Sequence, residues 1–215
     1  MLIKFIRCRV RTDCVDAFSE AQQTWRALAG AKGFGGQFGG WLGGDDLVAV
    51  IVGLWNDRLA YDRFMTFDHD RIVDNNRQRD TYVSSEVALA ETRMEIRGEA
   101  PDLAAAVRRA SLLRFADCRL NPGRRGHFLD MQERVWNPAM RAAGGMIGGA
   151  FCEATGQADR FVVLTLWGSA AEHDRYAREC VPDLRRQARV DVDVSGIDGG
   201  AVALMPEWTV VPSSD

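Results

Sequence analysis

The chain repeats itself at half its length. Leu54-Trp55, a short spacer and Ala60-Tyr61-Asp62-Arg63-Phe64 return 112 positions later as Leu166-Trp167, an equal spacer and Glu172-His173-Asp174-Arg175-Tyr176. In both places a β-branched apolar run ends in Leu-Trp and a helical pattern begins at once. An ordered match of this kind marks an internal duplication. The fold must therefore be built from two copies of one unit.

Each copy reads as strand, helix, strand, strand, helix, strand. Residues 2–10 lie over 112–120, with Phe5 on Phe115 and Cys8 on Cys118, and both segments alternate apolar with polar positions as half-buried strands do. Helical stripes follow over 13–28 and 125–141. Val15, Phe18, Gln22 and Trp25 share one face of the first, and Phe128, Met131, Gln132 and Val135 one face of the second. Gln22 and Gln132 match, so an amide lies within both apolar stripes and needs hydrogen-bond partners. Pro138 inside the second stripe predicts a kink with carbonyls released nearby.

Glycine-rich passages come next, Gly35-Gly36-Gln37-Phe38-Gly39-Gly40-Trp41 and Gly144 to Phe151. They are not phosphate loops, because the GxGxxG spacing fails at Phe38 and a strand, not a helix, follows. Bulges and close backbone approach account for them. Strands over 47–55 and 160–167 lead into second helices over 58–75 and 170–189, the latter interrupted at Pro182. Closing strands are expected over 87–95 and 202–210. Residues 98–111 join the halves, with Asp102 placed to cap a short alanine-rich helix. The reading is an α+β chain of two ferredoxin-like βαββαβ repeats, 1–97 and 112–215, separated by a linker. One repeat has helices on a single sheet face, so its other face must be covered, most simply by the second repeat.

The 215 residues, 47% hydrophobic, suffice for such a core. With 27 Lys plus Arg against 30 Asp plus Glu, the charge balance argues against a nucleic-acid footprint. Lysine occurs only at positions 4 and 32. No apolar run approaches the roughly 20 residues a membrane helix needs. The charged N-terminal run reads as a strand, not a signal peptide. Five scattered cysteines lack zinc spacing, so a reduced, cytoplasmic protein without a metal is expected.

The duplicated unit, its third strand ending in Trp before an amphipathic helix, resembles the dimeric α+β barrel superfamily. Within it the chain is similar to the antibiotic-biosynthesis monooxygenase family. It also resembles an uncharacterised bacterial tandem family, through Leu2 to Val10, Gln132 to Met140 and Glu207-Trp208-Thr209-Val210. The resemblance implies that the two repeats pair their sheets as an intrachain barrel. The chain would then be a monomer with pseudo-dimeric halves, or a homodimer. It implies a pocket between sheet and helices in each half, and a hydrophobic small-molecule substrate. The superfamily's reactions vary, so fold cannot choose among them.

Three histidines limit the candidate bases. His173 occupies the place of Tyr61, on the stripe facing the sheet, where either side chain could exchange a proton with a phenolic or enolic substrate. A satisfied core residue is the competing account of His173. His69 shares a face with Met65 and Ile72, and His127 reads as surface. His127, Asp130 and Glu133 fall at helical spacing, but such a triple marks a solvated face and no metal site.

The resemblance points to a cofactor-independent monooxygenase, or a related cyclase or isomerase, acting on an aromatic or polyketide-like substrate. His173, His69 and Tyr61 are the candidate catalytic residues. Gln22, Trp25, Phe38, Trp41, Gln132, Trp136 and Asn137 are the candidate substrate-binding ones. No cofactor is expected. Haem is the alternative, disfavoured because the position that carries the iron ligand in haem-degrading relatives holds Asp74 in one half and Arg186 in the other. A non-catalytic binding or stress-related protein is the third reading.

Overall fold

A computed structural model of the chain describes residues 1–44 and 46–213. The first repeat runs β1 (Leu2–Val10), α1 (Val15–Gln23) with a 3-10 extension over Thr24–Gly30, β2 (Phe34–Leu42), β3 (Val48–Trp55), α2 (Arg58–Phe67), α3 (His69–Asn76) and β4 (Tyr82–Arg97). After α4 (Leu103–Arg109) the second repeat runs β5 (Leu112–Leu120), α5 (Arg125–Met131), a π-helical turn over Gln132–Trp136, and α6 (Asn137–Ala142). It continues through β6 (Met146–Ala154), β7 (Arg160–Trp167), α7 (Ala170–Glu179), α8 (Val181–Gln187), α9 (Val190–Asp193) and β8 (Val194–Leu204). The strand order β1-β3-β2-β8-β5-β7-β6-β4 closes on itself, as the expected α+β barrel of two ferredoxin-like repeats requires.

The duplication holds down to register and caps. Leu2 faces Trp55 across β1 and β3, and Leu112 faces Trp167 across β5 and β7. The glycines of β2 and β6 absorb the same irregularity, an offset between Phe34 and Gly36 and between Met146 and Gly148. Gly36 takes φ of 136° at that bulge, a conformation L side chains rarely adopt. The Asp57 carboxylate accepts from the Ala60 N–H at 2.8 Å and the Ser169 hydroxyl from the Glu172 N–H at 3.3 Å. Both therefore cap the second helix of their repeat. That helix breaks in each repeat, at Asp68 and at Cys180, the second break being the one Pro182 predicts. Arg77 and Arg189 then close the two helix pairs with φ of 50°.

Two expectations need correction. The last strand is not 202–210: β8 ends at Leu204, and a 3-10 turn spans Pro206–Trp208. Pro206 has no N–H for the ladder. The chain rejoins the sheet at Val210, which exchanges backbone hydrogen bonds with Gln37. The joining segment carries the expected helix: Asp102 caps α4, whose Ala106 and Val107 are buried. Ala106 lies against Gly148, where small side chains allow helix and strand to approach. The compact units also differ from the repeats. One is Met1–Glu91 with the chain from Val202 onward, the other Thr92–Ala201. Their boundaries fall inside β4 and β8, strands of 16 and 11 residues whose two ends belong to different units.

Candidate functional site

Each unit holds a cavity between its helices and its sheet. In the first unit it measures about 200 Å³ and is lined by Lys4 and Cys8 of β1, Gln22 and Trp25, and Gln37 and Trp55 among others. Adjacent strand residues project to opposite faces. Lys4, Ile6 and Cys8 therefore line the cavity together, while Ile3 and Phe5 are buried elsewhere. Lys4 thus faces the helix layer, whereas Arg9 on the opposite parity of the strand is exposed. Burial lowers the Lys4 ammonium to about 8, and a Cys8 thiolate would oppose that shift. The same burial raises the Cys8 thiol, whose Sγ lies 3.5 Å from Ser85 Oγ.

An amide chain crosses this cavity wall. The Trp25 indole N–H donates to Gln78 Oε1 at 2.8 Å, and Gln78 Nε2 donates to Gln22 Oε1 at 2.8 Å. An indole nitrogen can only donate, which fixes both amides. The Gln22 oxygen is thereby used, and its NH₂ ends the chain. Gln37 is 6% exposed, and its Nε2 is buried without a hydrogen-bond partner among the described residues. His69 lies with its ring centroid 5.8 Å from those of Trp25 and Phe64, its Nδ1 2.9 Å from Asp70 Oδ1.

The second cavity, about 180 Å³, has Arg114 and Cys118 from β5, Gln132 and Trp136 from the π turn, and His173 and Tyr176 from α7. Pro138 explains the π turn. It lacks an N–H, and the ladder shifts so that the Asn137 N–H bonds the Gln132 carbonyl, five residues back. The Gln132 Nε2 donates to Asn137 Oδ1 at 2.7 Å, and Asn137 Nδ2 approaches Met94 Sδ at 3.6 Å. Here one of the two amide hydrogens is used and Gln132 Oε1 is left, whereas in Gln22 it is the oxygen that is engaged.

His173 packs edge-on against Trp167 at 5.4 Å, with Nδ1 3.3 Å from Asp174 Oδ1. Burial lowers its pKa, and the neighbouring Asp174 offsets this only in part. The Tyr176 hydroxyl is buried and has no partner among the described residues, and burial raises its pKa strongly. Burial, with Asp117 beside it, pushes the Cys118 thiol up to about 12, so it is a neutral wall group.

The predicted residues divide unevenly. Gln22, Trp25 and His69 line the first cavity, and Gln132, Trp136 and His173 the second. Tyr61 is buried beneath Lys4, its ring 5.6 Å from Nζ, and packs on Trp55. Asn137 supports Gln132 from behind and opens on a shallow surface recess. Phe38 and Trp41 are not wall residues. Phe38 points away from the cavity because its neighbour Gln37 points in, and Trp41 packs with Phe18 and Trp208 at 5.8 and 5.3 Å. His127 is no plain surface residue, since its Nδ1 holds the buried Asp193 at 2.5 Å.

Lys4, Gln37, Arg114 and Tyr176 were missed. Lys4 and Arg114 share one strand position in the two repeats, a signal that was available. Tyr176 shares the helical stripe of His173, a second available signal, and Gln37 carried none. Among the described residues no cluster of three or more His, Cys, Asp or Glu could hold a metal, and no helix is long and apolar enough to cross a membrane.

Residues 2–90 match the family model described as a domain of unknown function, DUF4937. Uncharacterized protein YdbC of Bacillus subtilis is 42% identical over 93 residues, which are 42% of this chain and 78% of that protein. The chain belongs to the DUF4937 family. A proposed monooxygenase from Fusobacterium nucleatum superposes with a TM-score of 0.76 at 10% identity, over 94% of this chain and 91% of that one. An anthrone oxidase-like protein superposes with a TM-score of 0.70 at 11% identity, over 95% and 91% of the two chains. At such identities the likeness establishes the shared fold of this DUF4937 protein, in which the repeat matched by the family model is followed by a second.

Proposed function

We propose that this protein is a cofactor-independent monooxygenase-type enzyme for a hydrophobic aromatic or polyketide-like molecule, with its reaction centre in the second cavity. The observation that carries the reading is the buried, unpartnered Tyr176 hydroxyl in an apolar cavity that also holds His173. A buried hydroxyl without a partner is costly, and a substrate oxygen would relieve it. The cavity exceeds the roughly 150 Å³ that accommodates benzene.

His173, kept neutral by burial, takes a proton from an activated carbon or hydroxyl of the substrate. Gln132 Oε1 accepts from a substrate hydroxyl. Tyr176 donates to the developing oxyanion, with Arg114 in the same wall adding positive potential. The resulting carbanion reduces molecular oxygen. A carbon–oxygen bond forms, the O–O bond breaks, and an activated methylene becomes a carbonyl while the second oxygen atom leaves as water. The anthrone oxidase-like relative in fold makes anthrones the first class to assay. We expect one O₂ consumed per anthrone oxidised, with loss of that uptake in His173→Ala and Tyr176→Phe. No uptake above the uncatalysed rate, or a Soret band on adding hemin together with haem-dependent turnover, would overturn the reading.

A further inference from the structure

The first cavity has a chemistry of its own. Among the described residues its wall contains no Asp or Glu, yet it contains Lys4, Arg79 and His69. Lys4 forms no ion pair among the described residues, and its Nζ lies over the Tyr61 ring at 5.6 Å. Gln37 is fixed by its backbone bonds to Val210, and its buried Nε2 lacks an acceptor. Gln22 ends the amide chain with its NH₂ group, its oxygen being held by Gln78. The Lys4 ammonium and the NH₂ groups of Gln37 and Gln22 are thus donors free for a ligand, in a wall that also carries Arg79, Tyr82 and Ser85.

Buried donors without acceptors are costly, and an ammonium in a desolvated site favours an anion. The walls between them are aromatic, with Trp25, Trp55, Phe34 and Phe64 in the lining. About 200 Å³ holds one ring and a small substituent. A metal cation would meet no carboxylate there, and a purely apolar ligand would leave every donor unmatched.

We propose that the first cavity is a binding site for a small aromatic carboxylate. Lys4 and the amides of Gln37 and Gln22 receive the carboxylate, and the aromatic walls hold the ring. This site is separate from the reaction centre proposed above and stands or falls without it.

The test is calorimetric titration of the full chain with benzoate and with benzamide, which has the same shape and no charge. Benzoate should bind saturably and at least about tenfold more tightly than benzamide, because only it forms charge-assisted hydrogen bonds. Lys4→Met keeps the apolar stem and should weaken benzoate by about ten- to a hundredfold. Gln37→Leu should weaken it by about tenfold, and it tests the site independently of the charge. His173→Ala should leave benzoate affinity unchanged, which separates the two cavities. The proposal is overturned by absence of saturable benzoate binding at millimolar concentration, by equal affinity for benzamide, or by wild-type affinity in both Lys4→Met and Gln37→Leu.

Discussion

The two cavities are copies that have come to opposite chemistry. Corresponding wall positions include Lys4 with Arg114, Cys8 with Cys118, Gln22 with Gln132, and Trp55 with Trp167. At the second helix the types exchange, Tyr61 and Phe64 in one repeat against His173 and Tyr176 in the other. The glutamines show how little must change. Gln22 has its oxygen engaged by Gln78 and both N–H groups left, whereas Gln132 has one N–H engaged by Asn137 and its oxygen left. One conserved residue type therefore faces the first cavity as a donor and the second as an acceptor. The partner behind each amide decides which.

The sharpest way to break this division is at the base. His173→Ala should lower kcat/KM for oxygen uptake by about 10²–10⁴, while Tyr61→Phe at the matching position should change it little. Because the folded-state pKa of His173 is depressed, the neutral base persists as pH falls through its ordinary value. The rate should stay level there and drop only at lower pH, on the protonated side. A rate that rises with acid would exclude His173 as a base.

If the repeats diverged only in their walls, their anchors should remain equivalent. Trp55→Ala and Trp167→Ala should each cost about 3–5 kcal/mol in denaturant unfolding, since both indoles are buried under their second helix. A large inequality would show that one repeat carries the fold.

The cations sharpen the comparison next. Lys4 is held near 8 against an ordinary 10.5, a difference worth about 3 kcal/mol. Between these values the unfolded chain binds the proton and the folded chain does not, so stability rises with pH across that window. At neutral pH both states are charged and the full penalty is present. Lys4→Met should therefore stabilise the protein by up to about 3 kcal/mol at neutral pH, and the gain should shrink toward zero by about pH 10.5. Burial lowers Arg114 too, but a guanidinium stays charged throughout, so Arg114→Met should show no such window. Unfolding curves for both variants at several pH values check this. The smallest effects belong to the matched caps, Asp57→Ala and Ser169→Ala, each about 1 kcal/mol by thermal unfolding.

Much of the fold was legible because duplication doubles every signal. Leu54-Trp55 and Leu166-Trp167 fixed the third strands, and Pro182 marked a real helix break. The end of β8 was misread because 202–210 alternates like a strand, while Pro206 stops the ladder locally. For the site, helical spacing put Gln22 and Trp25 on one apolar stripe and Gln132 on the other, and all three line a cavity. It failed in β2, where Phe38 was chosen over Gln37. A glycine-rich strand gives no alternation from which to tell one face from the other. Lys4 was passed over because a charge in a strand is ordinarily taken for the solvent face, and here that face is roofed by helices.

What the sequence determined by itself is the repeated unit, its element order and the class of side chain at each repeated position, since periodicity and duplication are properties of order along the chain. Only the tertiary structure decided which amide end meets each cavity, that Tyr176 and Gln37 lack partners, and that β4 and β8 are divided between units. Those are matters of hydrogen-bond pairing and burial among residues far apart in the chain. Spacing cannot encode them, because a donor is satisfied or orphaned only by what the fold brings beside it.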